Sequence, residues 1–478
     1  MELPGNKTKI VCTIGPSSSS PEVMEQMIRA GMNVARLNFS HGNFDGHRET
    51  IEKLRFASRT IGRRITIMAD LPGPKMRIGQ IADEPVHLRP GNPFTLTTRQ
   101  VTGDTNLASV TFERLPGAVK PGDVLFLNDG LIQLEVVRVS DTDVTCKVIV
   151  GGELRSRKGL NLPNIDLGVS AFTDHDLECL KFAIQNGVDA ISQSFVESRA
   201  DIVSVREAAQ ACGRVPFIIA KIERSGALSR IDEILETVDG IMIARGDLGV
   251  EIPIEQIAVV QKQLMRKANM LGKPVITATQ MLESMTDNRR PTRAEVTDVA
   301  NAILDGTDCV MLSGESAMGK YPVDSVAMLA KIARAIEPYR PGYRVREALK
   351  AVVMGKEVTS GDLISLSVES ALERMPVSAV VVPTHSGGTA RRLTRLRLPV
   401  WLTAVATQEA TCQALQFSYG VYPVCKPEDP EEWSVYAREW VKEHNLKGDF
   451  VILIEGPSPR NPEANHKLEI VDMKTTKQ

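Results

Sequence analysis

Short apolar runs rich in β-branched residues alternate along most of the chain with amphipathic segments of helical period. Eight runs have the length and composition of buried strands, at residues 9–14, 33–39, 65–69, 190–195, 217–222, 240–244, 274–279 and 309–312. Seven amphipathic segments follow the helical period, at residues 21–30, 44–61, 174–186, 199–211, 254–271, 293–304 and 322–336. Such units form an open doubly wound sheet or a closed parallel barrel. The count of eight favours a (β/α)8 barrel, whose site lies at the C-terminal ends of its strands.

The alternation stops between residues 71 and 169, where the helical period disappears. Short alternating runs at 93–98, 124–127, 131–139 and 144–150 are separated there by Pro-Gly and Asp-Gly turns. They predict a small β domain, inserted after the third barrel strand as a lid over the barrel mouth. The barrel itself is expected at 1–70 and 170–340. Apolar strands at 379–382, 400–404 and 450–454 predict a third, α/β domain over 345–478.

Composition and charge exclude several classes of protein. Basic and acidic residues nearly balance, with a net charge of −2, so the chain as a whole attracts neither nucleic acid nor membrane. There is no run of 18 apolar residues, and the first residues lack the apolar core of a signal peptide. Seven cysteines without a C-x-x-C pair indicate reduced thiols. We therefore expect a cytoplasmic protein without nucleic-acid or membrane partners.

The fifth predicted strand ends by presenting Lys221 and Glu223 two residues apart. Side chains at positions i and i+2 of a strand point to the same face, so the two emerge together. As an isolated pattern, this is usually a surface ion pair. A cation beside a carboxylate also suits a site that binds a divalent metal and neutralises a moving phosphoryl or enolate charge.

Almost every other predicted strand also ends in charged or hydroxyl-bearing residues. They are Arg36, Asn38, Ser40 and His41 at the end of strand two, Asp70, Lys75 and Arg77 after strand three, Ser192 and Ser194 at the end of strand four, Gly246 and Asp247 after strand six, Thr279 at the end of strand seven, and Ser313 and Glu315 after strand eight. Each alone has an ordinary explanation, such as a helix cap. Together in a narrow barrel mouth, such side chains need partners or a ligand, and this predicts that the rim is the site.

The oxygen donors on this rim suit two kinds of cation. Glu223 and Asp247, from neighbouring strands, offer two carboxylates to Mg²⁺, which fills its remaining positions with water and phosphate oxygens. Asn38, Ser40 and Asp70 offer neutral oxygens and one carboxylate, which suits a weakly held monovalent cation.

Positive charge on the rim suits phosphoryl transfer. Arg36, Arg77 and Lys221 supply the cations that such a reaction requires. No Walker-type loop ending in Gly-Lys-Ser/Thr occurs in the chain, so a nucleotide would be held by the rim and the lid.

The chain resembles the pyruvate kinase family, in its bacterial form, from near its first residue to its last domain. The stretches that carry the resemblance are Lys7-Thr-Lys-Ile-Val-Cys-Thr-Ile-Gly-Pro, Asn33-Val-Ala-Arg-Leu-Asn-Phe-Ser-His-Gly, Ile219-Ala-Lys-Ile-Glu, Ala244-Arg-Gly-Asp-Leu-Gly-Val-Glu, Thr279-Gln-Met-Leu-Glu-Ser-Met, Arg290-Pro-Thr-Arg-Ala-Glu and Met311-Leu-Ser-Gly-Glu-Ser. The resemblance implies an α/β chain with a TIM barrel, an inserted small β-barrel lid and a C-terminal α/β regulatory domain.

The resemblance also implies an activity, the Mg²⁺-dependent transfer of a phosphoryl group from phosphoenolpyruvate to ADP, giving pyruvate and ATP. Mn²⁺ could replace Mg²⁺, K⁺ is a further expected cofactor, and a homotetramer is the expected assembly. Lys221 would stabilise charge on the phosphoryl group and the enolate, Arg36 would contact phosphoryl oxygens, and Glu223 and Asp247 would hold the divalent metal.

The family's remaining site roles carry over by position. Gly246, Asp247 and Thr279 would line the pocket for the substrate carboxylate, and Thr279, Ser313 and Glu315 would belong to the path that protonates enolpyruvate. Asn38, His41 and Arg77 would contact the nucleotide. K⁺ would be held by Asn38, Ser40, Asp70 and Leu71. The family often has threonine at position 71, but a backbone carbonyl can serve as ligand there.

A turn in the third domain offers an effector site. Thr384, Ser386, Gly387, Gly388 and Thr389 follow a predicted strand and open a helix. As a bare pattern this is more often an ordinary turn. In a chain that resembles this family, it is expected to bind the phosphate of an allosteric effector, with a second effector segment around 456–467.

Two other classes of function remain open on the residues alone. A metal-dependent lyase or aldolase that forms pyruvate enolate would also need a lysine and two carboxylates on the rim, but neither the lid nor ADP. A non-catalytic sensor of phosphorylated metabolites would keep the turn at residues 384–389 and have no use for the rim charges.

Overall fold

The computed structural model describes residues 2–165, 167–340, 359–456 and 465–474 of the chain. Its strands are β1 (Lys9–Thr13), β2 (Val34–Asn38), β3 (Thr66–Leu71), β4 (Val86–Leu88), β5 (Pro93–Thr97), β6 (Leu107–Ser109), β7 (Val124–Leu127), β8 (Ile132–Val139), β9 (Asp143–Val150), β10 (Gly152–Leu154), β11 (Leu160–Asn161), β12 (Ala190–Gln193), β13 (Phe217–Ile222), β14 (Gly240–Ala244), β15 (Val275–Ala278), β16 (Cys309–Leu312), β17 (Val377–Pro383), β18 (Leu402–Ala406), β19 (Val421–Cys425), β20 (Phe450–Glu455) and β21 (Lys467–Asp472).

The α-helices of the described residues connect or flank these strands. They are α1 (Pro21–Ala30), α2 (Phe44–Ile61), α3 (Leu115–Ala118), α4 (Asp174–Gln185), α5 (Arg199–Ala211), α6 (Ser225–Ser229), α7 (Ile231–Thr237), α8 (Arg245–Glu251), α9 (Ile257–Met270), α10 (Arg293–Asp305), α11 (Gly314–Ala317), α12 (Pro322–Ile336), α13 (Ser360–Arg374), α14 (Gly388–Thr394), α15 (Glu409–Ala414) and α16 (Trp433–Glu443). Within these described ranges, no helix is both long enough and apolar enough to cross a membrane.

Eight of the strands close into a parallel barrel, in the order β1-β16-β15-β14-β13-β12-β3-β2. This confirms the barrel expected from the eight apolar runs. The observed bounds differ from the predicted ones by a few residues. Strand β3 continues to Leu71, so Asp70 lies inside the strand rather than after it.

The helix starts follow from local capping chemistry. The Thr173 hydroxyl accepts a hydrogen bond from the Asp176 backbone N–H, and the Asp176 carboxylate accepts one from the Thr173 backbone N–H. The Ser20 hydroxyl caps α1, and the Asp201 carboxylate accepts from the Ser198 backbone N–H at the start of α5. These contacts satisfy N–H groups that the first helical turn leaves without partners.

The segment between β3 and α4 contains a separate sheet. Six strands pair in the order β11-β7-β8-β9-β5-β6, and β10 pairs with β4 in a two-stranded sheet. Its own apolar core includes Phe94, Leu96 and Leu134, all fully buried. The alternating runs read from the sequence correspond to the four longer strands of this sheet.

The C-terminal part is an α/β sheet in the order β19-β18-β17-β20-β21, in which only β21 is antiparallel to its neighbour. The sequence pattern predicts three of its five strands. It misses β19, which contains Pro423, and β21, in which alternation is weak. The barrel, the separate sheet and the C-terminal α/β sheet together give the predicted fold class.

A phenylalanine from the C-terminal part plugs the bottom of the barrel. Phe417 is fully buried and belongs to the cluster of side chains that fills the barrel interior, with Val11, Met68 and Met242. Its ring stacks on that of Phe217, with centroids 5.2 Å apart and planes at 8°. The barrel core therefore depends on a residue that follows it by about a hundred positions.

Replacing Phe417 with alanine is expected to destabilise the barrel strongly. The substitution leaves a cavity at the base of the barrel, and the rigid strands around it cannot close over it. The expected loss is about 3–5 kcal/mol, seen as a lower midpoint in urea unfolding followed by circular dichroism. Phe56 of α2 is 55% exposed, so Phe56→Ala serves as the matched control with little expected change. Equal unfolding midpoints for the two variants would contradict this role of Phe417 in the barrel core.

Candidate active site

Asp70 lies at the centre of a charged cluster at the barrel mouth. Its register partners are Asn38 on β2 and Ser192 on β12. Asp70 Oδ2 accepts hydrogen bonds from Arg36 Nε, at 3.0 Å, and from Arg36 Nη2, and its Oδ1 accepts one from Ser192 Oγ at 2.6 Å. Arg36 Nη1 donates to Thr13 Oγ1 at 2.9 Å. Four neighbouring strands thus hold one buried carboxylate and one arginine in fixed positions.

Lys221, at the end of β13, joins this cluster from the other side. Its Nζ donates to Ser194 Oγ at 2.6 Å and lies 3.2 Å from Glu223 Oε2 and 3.6 Å from Asp70 Oδ2. Ser194 Oγ in turn donates to the Leu71 carbonyl at 2.7 Å. The expected emergence of Lys221 and Glu223 on one face is therefore observed, with a second carboxylate, that of Asp70, beside them.

Burial and neighbouring charges act in opposite directions on these groups. Burial alone would raise the pKa of Asp70, but Arg36, Lys221 and the Ser192 hydroxyl lower it to about 2. Burial alone would lower the pKa of Lys221, but the carboxylates of Asp70 and Glu223 outweigh it and raise that pKa. Asp70 is thus held as an anion and Lys221 as a cation.

Glu223 is 3% exposed, and its two oxygens differ. Oε1 accepts from the Phe195 backbone N–H at 2.7 Å, whereas Oε2 has no hydrogen-bond donor among the described residues and only the Lys221 ammonium nearby. Burial raises the pKa of Glu223, and the carboxylate of Asp247 raises it further, against the effect of Lys221. A buried carboxylate oxygen without a donor is an available ligand for a hard cation.

Asp247 lies in the first turn of α8, directly after β14, the strand next to β13. It is exposed, and its charge acts on both Lys221 and Glu223. The described part of the chain contains no group of three or more His, Cys, Asp or Glu side chains arranged to hold a metal. Two carboxylates are enough for Mg²⁺, which takes its other ligands from water and substrate, so the donor set fits this ion.

Thr279 has an unusual backbone conformation at the end of β15. Its φ is +69°, in the left-handed region that β-branched residues rarely adopt. Arg245 Nη2 donates to the Thr279 carbonyl at 2.8 Å, and the same guanidinium is fixed by Asp298 at 2.6 and 2.7 Å. Thr279 Oγ1 accepts from the Gly246 backbone N–H at 2.8 Å. These contacts connect the end of β14 to the end of β15.

Glu315 is fully buried, and both its oxygens accept from backbone. Oε1 accepts from the Leu282 N–H at 3.0 Å, and Oε2 accepts from the Ser313 N–H at 2.7 Å. Glu315 therefore connects the end of β16 to the loop after β15.

The monovalent-cation candidates lie beside this cluster. Ser40 N–H donates to Asn38 Oδ1 at 3.1 Å, and Lys75 Nζ donates to Ser40 Oγ at 3.3 Å. The Leu71 side chain is fully buried, while its carbonyl accepts from Ser194. These oxygens border Asp70 on the β2 and β3 side.

Of the nucleotide candidates, Asn38 lies at the end of β2 and Arg77 lies at the separate sheet. Arg77 forms a backbone bridge with Gly159, and its N–H donates to Thr111 Oγ1 at 3.0 Å, so it marks the joint between barrel and sheet. His41 is exposed. Its pKa is lowered by partial burial and by the nearby cations of Lys75 and Arg77.

The effector turn is closed by its own side chains. Thr384 Oγ1 accepts from the Gly387 N–H at 3.0 Å, and the Ser386 carbonyl accepts from Arg391 Nη2 at 2.7 Å. Gly387 has φ +78°, and a Cβ there would lie 2.9 Å from Leu415 Cδ2, so glycine is required. Helix α14 begins at Gly388 and includes Thr389. Of the second effector segment, 456–467, residues 457–464 lie outside the described residues.

Several residues of this site were not assigned a role from the sequence alone. Ser192 and Ser194 carried a usable signal, because two hydroxyls two apart at a strand end face the same way. Arg245 lies in the stretch that follows the sixth predicted strand, but its pairing with Asp298 carried no signal, because it joins α8 to α10.

Comparison with known proteins identifies the family of the chain. Residues 5–326 match the family model described as pyruvate kinase, barrel domain, and residues 362–470 match the one described as pyruvate kinase, alpha/beta domain. The chain is 50% identical over 461 residues to the pyruvate kinase of Thermococcus litoralis, covering 95% of this chain and 96% of that relative. It is 43% identical over 419 residues to the pyruvate kinase of Geobacillus stearothermophilus, covering 87% of this chain and 71% of the relative.

A solved structure gives the same result at the level of the fold. The crystal structure of a pyruvate kinase from Cryptosporidium parvum superposes with a TM-score of 0.89 at 34% identity, covering 98% of this chain and 96% of that one. The chain belongs to the pyruvate kinase family of phosphotransferases.

Proposed function

We propose that this protein catalyses the Mg²⁺-dependent transfer of a phosphoryl group from phosphoenolpyruvate to ADP, the final step of glycolysis. The observation that carries the proposal is the charged cluster of Arg36, Asp70, Lys221 and Glu223 at the barrel mouth. It combines fixed cations, which phosphoryl transfer requires, with a buried carboxylate that can serve as a ligand of a divalent ion.

The two cations of the cluster retain donors for a substrate. A guanidinium has five N–H groups, and Arg36 uses three, two to Asp70 and one to Thr13. The Lys221 ammonium has three and gives one hydrogen bond, to Ser194. The remaining donors can bind phosphoryl oxygens and then the enolate oxygen. Because Asp70 and Glu223 already fix both groups, little reorganisation is needed when charge develops.

Glu223 and Asp247 are the residues that would hold the divalent ion, Mg²⁺ or Mn²⁺. Glu223 and Asp247 follow the adjacent strands β13 and β14, and Glu223 Oε2 has only the Lys221 ammonium near it among the described residues, which supports this assignment. When bound, such an ion neutralises negative charge on phosphoryl and enolate oxygens. Glu223 also holds Lys221 in position, so the same carboxylate pairs with the ammonium and would bind the divalent ion.

Asn38, Ser40, Asp70 and the Leu71 carbonyl form the proposed K⁺ site. Neutral oxygens with one carboxylate suit a weakly held monovalent ion, and this group borders the phosphoryl position through Asp70. Asp70 therefore links the two halves of the site.

The reaction must deliver a proton to the enolate carbon, and Thr279 lies on the side of the site from which this proton is proposed to come. Its left-handed backbone, held by Arg245, supports a positioned hydroxyl at the pocket edge, next to the Gly246 backbone and Asp247 of the carboxylate pocket. Ser313 and Glu315 complete the proposed path. The backbone contacts of Glu315 favour a positioning role for it within that path.

Asn38, His41 and Arg77 form the proposed nucleotide side. The cations of Lys75, Arg77 and Arg36 all act on His41, which supports a local positive field suited to a diphosphate. The joint at Arg77 would let the inserted sheet close over bound ADP.

Allosteric control belongs to the same proposal, with the phosphate of an effector bound by Thr384, Ser386, Gly387, Gly388 and Thr389. The left-handed backbone of Gly387 and the nearby hydroxyls of Thr384 and Ser386 support the binding of an anion at this turn. A cytoplasmic homotetramer is the proposed assembly, which sedimentation of the purified protein tests.

A coupled assay of pyruvate formation from phosphoenolpyruvate tests the function. Pyruvate is expected to form only when both ADP and Mg²⁺ are present, because ADP accepts the phosphoryl group and Mg²⁺ neutralises it. Formation without ADP would indicate a lyase, and no formation under any condition would indicate a sensor. Exchanging K⁺ for Na⁺ in the same assay is expected to lower the rate, and an unchanged rate would contradict the K⁺ site.

Lys221→Met is expected to lower kcat by roughly a hundredfold or more, because the developing enolate charge loses its fixed cation. Phosphoenolpyruvate binding, measured by calorimetry, should persist through Arg36. Lys331 is exposed on α12, and Lys331→Met is the matched control with unchanged kcat. Near-normal turnover by the Lys221 variant would rule out this role.

Replacing Thr384 and Ser386 together by alanine is expected to abolish activation by phosphorylated sugars or nucleotides, since the turn loses its hydroxyl donors. The rate without effector should be retained, because the hydrogen bonds given for Thr384 and Ser386 stay within the C-terminal α/β part. Rates measured across a panel of such compounds check this. Activation that survives in the double variant would contradict the effector turn.

A further inference from the structure

Arg224 is a buried arginine to which the proposed mechanism gives no role. It directly follows Glu223, just beyond β13, and is only 3% exposed. Its Nε donates to Glu197 Oε1 at 2.7 Å, and its Nη1 donates to Glu251 Oε1 at 3.2 Å. These carboxylates lie in the loop after β12 and at the last residue of α8. One guanidinium therefore connects the loop after β12, the end of β13 and the helix after β14.

The same guanidinium holds the connection through which the chain returns to the barrel from the inserted sheet, which comprises β4 to β11. Arg224 Nη2 donates to the Ile165 carbonyl at 2.8 Å, and Nη1 donates to the Leu162 carbonyl at 3.4 Å. Leu162 is fully buried in the core of the inserted sheet, and Ile165 packs against that core. Arg224 is thus a direct link between the rim of the barrel and the return connection of the sheet.

The outgoing connection of the inserted sheet is held at a different point. The Gly73 backbone N–H donates to Asp176 Oδ1, at the start of α4, at 3.0 Å. Gly73 has a φ of +65°, and a Cβ there would lie 2.9 Å from Phe195 Cδ2, so this turn requires glycine. The two connections therefore have separate anchors, a backbone contact for one and Arg224 for the other.

Helix α8 also contacts the inserted sheet. A Cβ on Gly130, in the turn between β7 and β8, would lie 3.2 Å from Val250 Cγ2. The same helix carries Asp247 in its first turn and ends at Glu251, the partner of Arg224. Arg224 therefore joins the return connection to the helix that presents the second proposed metal ligand.

Arg224 has little capacity left to bind a substrate itself. Four of its five N–H groups donate to Glu197, to Glu251 and to two carbonyls. Arg36, by contrast, gives three hydrogen bonds within the protein and keeps two donors. Burial raises the pKa of Glu251 to about 7, and Arg224 opposes this shift. These contacts favour a role in positioning other groups over direct contact with the reacting atoms.

We propose that Arg224 is a positioning residue for the reaction, which fixes the return connection so that the inserted sheet closes over bound nucleotide in register with the barrel rim. The inference rests on the proposed function, in which this sheet covers ADP. A planar fork of donors can hold two carboxylates and two carbonyls at once, which a lysine cannot do. Without the fork, the connection would move independently of the rim, and closure over ADP would become less favourable.

Steady-state kinetics of Arg224→Met test the proposal. The KM for ADP is expected to rise about tenfold, because the connection loses its charged donor. The KM for phosphoenolpyruvate should stay nearly unchanged, because Arg36 and Lys221, its proposed contacts, belong to the barrel. Arg266 is exposed on α9, and Arg266→Met is the matched control with both KM values unchanged. An unchanged KM for ADP in the Arg224 variant, or an equal rise for both substrates, would overturn the proposal.

Glu251→Gln separates the ion pair from the contact with the connection. This variant leaves Arg224 bound to Glu197 and to both carbonyls, so its KM for ADP should remain near that of the unmodified protein. A rise equal to that of Arg224→Met would show that the ion pair alone matters and would overturn the proposal. If Arg224→Met fails to fold, the double variant with Glu251→Gln, which removes both buried charges, takes its place with the same expectation.

Hydrogen–deuterium exchange of the same variants tests the anchor without any activity. In Arg224→Met, the backbone N–H groups of residues 160–165 are expected to exchange roughly tenfold faster, while β8 and β9, which pair with each other, keep their rates. Unchanged exchange at 160–165, or faster exchange throughout the chain, would overturn the proposal. Failure of the unmodified protein to form pyruvate in the coupled assay would instead refute the proposed function, and exchange would still decide whether Arg224 holds the connection.

Discussion

The barrel mouth of this protein depends on one buried carboxylate, Asp70, that lies between two cations and pairs with both. Arg36 and Lys221 come from strands on opposite sides of β3, and without an anion between them they would repel each other in a poorly solvated mouth. Removing one partner of a buried ion pair typically costs about 3–5 kcal/mol, so each of the three groups holds the other two in place. Closure of the barrel is what brings β2, β3, β12 and β13 into this arrangement. The charges of the proposed site are thereby held in position by the fold itself.

Much of this could be read from the sequence, for physical reasons that differ between its parts. The eight buried strands are continuous apolar runs, so their number and order were visible. Lys221 and Glu223 share a face because strand geometry requires it at a spacing of two. Strand β19 was missed because Pro423 lies in it, and β21 because only one of its residues is buried. The contact of Arg245 with Thr279 was missed because long-range pairing leaves no local periodic signal.

The bottom of the barrel shows a complementary use of charge and packing. Phe417 fills the interior from below, and Arg397 binds Asp308 at the start of β16, so the C-terminal sheet completes the barrel core rather than only adjoining it. Among the described residues, several buried arginine nitrogens at this joint have no hydrogen-bond partner.

The central claim is that Glu223 and Asp247 hold the divalent ion beside Lys221. Crystals grown with Mn²⁺ and oxalate, a stable mimic of the enolate of pyruvate, test it through the anomalous signal of the metal. The account predicts one strong peak within about 2.0–2.4 Å of an oxygen of each carboxylate, with oxalate completing the coordination. A metal peak that contacts neither Glu223 nor Asp247 would contradict it.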